Sequence, residues 1–201
     1  MCDPDGVSEP APVPPDDRDW TFVITEGCKE CGFSPQPAER TGDRLRAAIP
    51  IWQMVLASST ASQRAAPTVW SAVEYGCHVR DTCRLFRRRL ELMLAETDPE
   101  FANWDQDATA VEDDYFHQDP AEVAVALGEE AEAIAATFDA VGPDQWGRPG
   151  RRSNGSTFTV ATFAVYFSTT SNTTSTTSPG SRTAAGAGKG PSRRRRDPVP
   201  P

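Results

Sequence analysis

Apolar positions recur at spacings of three and four in four stretches of the chain, and each predicts an amphipathic helix. In 41–58, Leu45, Ile49, Trp52 and Leu56 share one face; Pro50 removes a backbone donor among them and predicts a kink or a late start. The clearest stretch, 68–95, reads "TVWSAVEYGCHVRDTCRLFRRRLELMLA". His78, Leu85 and Leu92 are spaced by sevens there, with Tyr75, Thr82, Phe86 and Met93 alongside, so this face is expected to look inward. Arg80, Arg84, Arg87 and Arg88 fall on the other side. The third stretch, 120–140, has a start signal: Asp119 can cap, Pro120 suits the first turn, and Glu122 stands three residues after the cap. It should stop before "GPDQWGRPGRRSNG". The fourth, 157–167, carries Phe158, Val160, Phe163, Ala164 and Phe167. Four helices around one core predict an all-α four-helix bundle, with no sheet of more than two short strands.

The fourth stripe ends abruptly. Phe163, Tyr166 and Phe167 share a face, and then residues 168–178 read "STTSNTTSTTS", a run of poor helix formers. The last helix is therefore expected to be truncated after Phe167. An ordinary flexible tail is one reading. A lost base is the other. If the serines use TCN codons, a frame beginning one base earlier turns each serine into Phe, Leu, Ile or Val and each threonine into Tyr, His, Asn or Asp. The first, fourth, eighth and eleventh positions then become apolar, which is helical periodicity continuing the stripe. With GC-rich codons one assignment reads "LHDVEHHLHDV". It contains H-x-x-x-H, two imidazoles one turn apart, as a metal site needs. This frameshift reading makes 168–201 an out-of-frame, structureless tail and discounts its basic run, Arg193 to Arg196.

Composition bounds the rest. The 201 residues suffice for one domain with a core, assigned to 20–167, behind a proline- and aspartate-rich leader at 1–19 that has little to bury. A net charge of −9 argues against general affinity for nucleic acid or membrane surfaces. No apolar run approaches the roughly 20 residues of a membrane span. Five unevenly spread cysteines and a first segment without signal-peptide character point to reduced thiols in the cytoplasm.

Candidate chemistry is sparse. His78, alone on an apolar face, is ordinarily a hydrogen-bonded core residue. Joined by two histidines from a fourth helix, it would complete a three-nitrogen site for zinc or nickel with positions open to substrate. Asp81 could then orient the imidazole; otherwise it is an exposed helix acid paired with Arg84. Cys28 and Cys31 form a C-x-x-C turn, either two reduced thiols packed on the bundle or half of a structural zinc or redox site. The acids Asp105, Asp107, Glu112, Asp113 and Asp114 lack calcium-loop spacing and read as a solvated loop, and His117 reads as a surface residue.

"PTVWSAVEYGCHVRD" resembles the second-helix signature of DinB-like proteins, which include mycothiol-dependent maleylpyruvate isomerases. The resemblance covers about 20–167, and "FANWDQDATAVED" and "QWGR" resemble an actinobacterial branch. It implies that Trp70 and Ser71 open the helix, that His78 is the first metal ligand, and that two histidines of the last helix are the others. Thr169 and Ser171 to Thr176 stand where those would be. The family implies a metal-dependent thiol transferase or hydrolase acting on a small molecule, with mycothiol as a possible cofactor and a homodimer as a possible assembly. Two rival classes remain: a non-catalytic helical interaction or stress-response module, and a C-x-x-C zinc or redox protein.

Overall fold

A computed structural model describes residues 13–14, 19–29 and 32–171, with the side chains of 170 and 171 left aside. Most of the expected leader, Cys2, Cys31, and everything from 172 onward, Arg193 to Arg196 included, lie outside the described residues. The helices are α1 (Val23–Glu26), α2 (Thr41–Leu56), α3 (Ala72–Ala95), α4 (Gln106–Glu112), α5 (Pro120–Asp139) and α6 (Val160–Ser171). The strands are β1 (Glu100–Phe101), β2 (Pro149–Arg152) and β3 (Thr157–Thr159).

Four long helices, α2, α3, α5 and α6, enclose the core. Arg46 near the start of α2 reaches Asp139 at the end of α5 at 2.7 Å, so these two run antiparallel. Cys77 in the first half of α3 meets Gln118, just ahead of α5, at 3.3 Å, and Arg84 meets Glu130 at 2.9 Å, so α3 and α5 run parallel. Arg148 donates to the carbonyls of Met93 and Glu96 and accepts from Val160 N–H, which starts α6 beside the C-terminal end of α3. Phe163 and Phe167 then pack on Phe86 at ring separations of 4.6 and 5.1 Å. α6 is therefore antiparallel to α3 and points toward the half of α3 that carries His78.

Leu45, Trp52 and Leu56 of α2, Cys83, Phe86, Leu90 and Met93 of α3, Val123, Leu127, Ile134 and Phe138 of α5, and Phe163 and Phe167 of α6 are all buried. Each such side chain contributes roughly 1.5–3 kcal/mol relative to remaining in water. Trp20, Phe22, Val23, Cys28 and Phe33 make a smaller cluster against Val165 and Tyr166 of α6.

Three sequence expectations need correction. The fold is mostly helical, as expected, but exceeds the limit of two short strands: β1 pairs parallel with β2, and β2 antiparallel with β3, in a small three-stranded sheet. Proline, glycine and two arginines in β2 carry no strand signal. Gly150 is there because a Cβ would lie 2.7 Å from Met93 Cγ, so only glycine lets the sheet close onto α3. Second, α6 does not stop at Phe167 but continues to Ser171. Ser168 is buried, its hydroxyl donating to the Ala164 carbonyl at 2.9 Å and accepting from Arg44 at 3.2 Å. Serine and threonine hydroxyls that bond back to the preceding turn let a poor helix-forming sequence remain helical. Third, the line of sevens lies at the edge of the buried seam. Phe86 and Met93 are buried as expected, but Leu92 is exposed, and Arg80, Arg84 and Arg87, expected outside, are half-buried. Pro50 is accommodated on an exposed face of α2, which runs through it.

Candidate functional site

The N-terminal half of α3 is held by its cap. The Ser71 hydroxyl accepts from Glu74 N–H at 3.3 Å, and Glu74 Oε2 accepts from both the N–H and the hydroxyl of Ser71 at 2.8 Å, a reciprocal capping box. Arg64 forks onto the same carboxylate, with Nε 2.9 Å from Oε2. Burial pulls Glu74 upward, but the hydrogen bonds from Arg64 and Ser71 outweigh it and hold the carboxyl below its usual range. The helix therefore begins at Ser71 rather than at 68, and Trp70 is left at its mouth.

Two turns on, His78 lies between two tryptophans. Its ring stacks on Trp104 at 5.5 Å with an interplanar angle of 6°, and Trp70 stands 5.5 Å away on a tilt of 47°. Trp104 is fixed by its indole N–H, which donates to Thr109 Oγ1 at 2.7 Å, and Asp105 caps α4 just below. Burial among these rings pushes the His78 imidazole down to about 4, against a small upward pull from Asp81, so it is neutral at pH 7. Its Nδ1 is buried and has no hydrogen-bond partner among the described residues. A buried nitrogen left unpaired costs about 1–3 kcal/mol. Buried polar groups are nearly always satisfied, so this one needs an explanation.

Asp81 turns to a network of its own. Arg80 forks onto it with contacts of 3.0 and 2.9 Å, Arg84 adds one of 3.1 Å, and the buried Tyr115 hydroxyl donates at 2.6 Å. Burial raises Asp81, but the Arg80 and Tyr115 hydrogen bonds and the two arginine charges hold it below the usual carboxylate range. Burial and the neighbouring carboxylate push the Tyr115 phenol far up. Asp81 thus anchors the 115–118 turn against α3, and its oxygens are engaged away from the His78 ring. Sequence reasoning missed Trp104 and Tyr115. Both stand in an acidic segment without apolar periodicity, and an aromatic residue isolated in such a segment was the available signal.

The remaining candidates are scattered. Cys28 is buried in the small N-terminal cluster, where its N–H donates to the Phe33 carbonyl at 2.8 Å; Cys31 lies outside the described residues. Burial pushes the Cys77 and Cys83 thiols up to about 12, so neither is a nucleophile at neutral pH. His117 is exposed and bonded to Asp114 at 2.7 Å. An open groove of about 630 Å³ between α2 and α5, walled by Ile49, Gln53, Gly128 and Ala133, includes none of the His78 cluster. Among the described residues no three His, Cys, Asp or Glu side chains converge to hold a metal ion. One imidazole is not a metal site. The donors present here do not fit zinc or nickel.

Four long helices form the bundle, and the second of them carries a half-buried histidine against Trp70 and Trp104. Residues 56–169 match the family model of the DinB superfamily, and the chain belongs to that superfamily. Among solved structures, YfiT from Bacillus subtilis is similar, with a TM-score of 0.55 at 17% identity over 81% of this chain and 87% of YfiT. YfiT is described as a probable metal-dependent hydrolase with an unusual four-helix bundle topology. At that identity the likeness is one of fold. Comparison with curated proteins finds no match. No helix among the described residues is long and apolar enough to cross a membrane.

Proposed function

We propose that this chain derives from a DinB-type, metal-dependent thiol transferase or hydrolase of small molecules. Mycothiol is the thiol in the actinobacterial branch it resembles, and the cytoplasm is the site of action. In these 201 residues the site is incomplete. A base lost near the Phe167 codon replaces the two remaining ligands by serine and threonine, so zinc or nickel is held weakly and activity is low or nil.

The observation that carries this reading is the direction of α6 relative to the orphaned Nδ1 of His78. Phe167 lies beside Phe86, eight residues of helix, or about 12 Å, from His78. A helix continued past Phe167 in the alternative frame would carry its H-x-x-x-H pair at positions 169 and 173, about 3 and 9 Å further toward the level of His78. The description of YfiT as metal-dependent supports the same class. Resequencing the gene across the Phe167 codon tests the reading: one additional base, opening a frame with H-x-x-x-H, is the expected result. An unchanged base count overturns it.

The burial of Ser168, bonded to Ala164 and Arg44, favours a second reading, in which the polar ending is native and the protein is a non-catalytic interaction or stress-response bundle. An unchanged base count would select it.

A further inference from the structure

Away from His78, a buried donor is left unmet beside a cavity. Trp52, on the inner face of α2, is 3% exposed, and its indole N–H has no hydrogen-bond partner among the described residues. A buried indole N–H ordinarily finds an acceptor, as that of Trp104 finds Thr109. The Trp52 side chain borders a cavity of about 10 Å³ between α2, α3 and α5, together with Ile49, Val79, Cys83 and Leu127. Apart from Trp52 and Cys83, every side chain in its wall is aliphatic.

The size of the space decides what it takes. A single water needs roughly 10–15 Å³, so the cavity suits one water and is too small for an organic molecule. A buried water also needs roughly two to four polar partners. The indole N–H is one. Cys83 is 1% exposed and free, and burial pushes its thiol up to about 12, so it keeps its proton at neutral pH. An un-ionised thiol donates weakly through S–H and accepts weakly at sulfur, which makes it the second. Ile49 stands in the wall of both this cavity and the open groove between α2 and α5, so rotation of that side chain is a route in from solvent.

We propose that this cavity is a binding site for one water molecule, which accepts from the Trp52 indole N–H and bonds to the Cys83 thiol, joining α2 to α3 through the core. The site uses none of the His78 pocket, so it stands whether or not the metal reading does.

The test is NMR on the full chain labelled with ¹⁵N, reading magnetisation transfer from water to the Trp52 indole N–H, whose resonance is the one lost in Trp52→Phe. The expected result is a cross peak of opposite sign in the laboratory and rotating frames, as a held water gives. Ala131→Val, which places methyl groups in the cavity wall, should abolish it while the indole resonance persists. Cys83→Val, which keeps the volume but loses the thiol, should weaken it severalfold, and Cys83→Ser should restore it. No cross peak, or one of the same sign in both frames (proton exchange with bulk solvent), would overturn the proposal. So would a peak that survives Ala131→Val, and so arises from the thiol proton, or one indifferent to Cys83→Val.

Discussion

Protonating His78 should unfold this protein in a way that its other groups do not. In the folded state desolvation of the half-buried ring lowers it to about 4, against 6.5 for an unperturbed histidine. Between these values the unfolded chain binds a proton that the folded chain refuses. Stability is therefore complete above about pH 6.5 and falls as the pH drops toward 4. Integrating the two titrations, the loss from this one side chain is on the order of 1–2 kcal/mol at pH 5.5 and 2–3 kcal/mol at pH 4.5. His78→Phe keeps an aromatic ring between Trp70 and Trp104 and removes the titration. Asp81 and Glu74, both held below their usual range, are common to both proteins and cancel in the comparison. Urea unfolding of the two proteins at pH 7.5, 5.5 and 4.5 should show the stability difference moving in favour of the variant by those amounts. Parallel pH profiles would refute the desolvated, neutral imidazole.

Other consequences follow from the same network. Tyr115→Phe removes a charge-assisted hydrogen bond to Asp81, and thermal unfolding should show a loss of about 1.5–3 kcal/mol. Glu74→Ala leaves the Arg64 guanidinium without its carboxylate and removes the half of the capping box that satisfies Ser71 N–H; a loss of about 3–5 kcal/mol is expected in denaturant titrations. Gly27 has φ +69°, and a Cβ there would lie 2.5 Å from the Phe33 carbonyl oxygen. Gly27→Ala should cost about 1–3 kcal/mol and raise the thiol reactivity of Cys28 before global unfolding.

The three helices α2, α3 and α5 were legible because each buries one stripe against the others, and a stripe leaves a three–four spacing in the sequence. The Asp119 cap was legible for a similar reason, since a cap is a local pattern, whereas the Ser71 cap was not legible in the spacing, which starts that helix at 68. Pro149, Gly150, Arg151 and Arg152 form a strand because Gly150 fits against Met93 and Arg152 fits over Phe158, and neither contact is local. The candidate site divides in the same way. His78 could be singled out as a lone imidazole on an apolar helix. Trp104, which stacks on it, and Tyr115, which draws Asp81 away from it, come from a segment whose position is set only by the folded bundle. Arg89 looked like one more member of a basic run, "RLFRRR"; burial set it apart.

Metal content tests the central claim most directly. Three proteins should be loaded with zinc or nickel, desalted and analysed by elemental mass spectrometry: the chain as it stands, the chain read in the alternative frame after Phe167, and that second chain with His78→Ala. The account predicts close to one metal ion per chain in the frame-restored protein and almost none in the other two, because one imidazole cannot replace three. Equal metal in the first two proteins, or retention after His78→Ala, would contradict it.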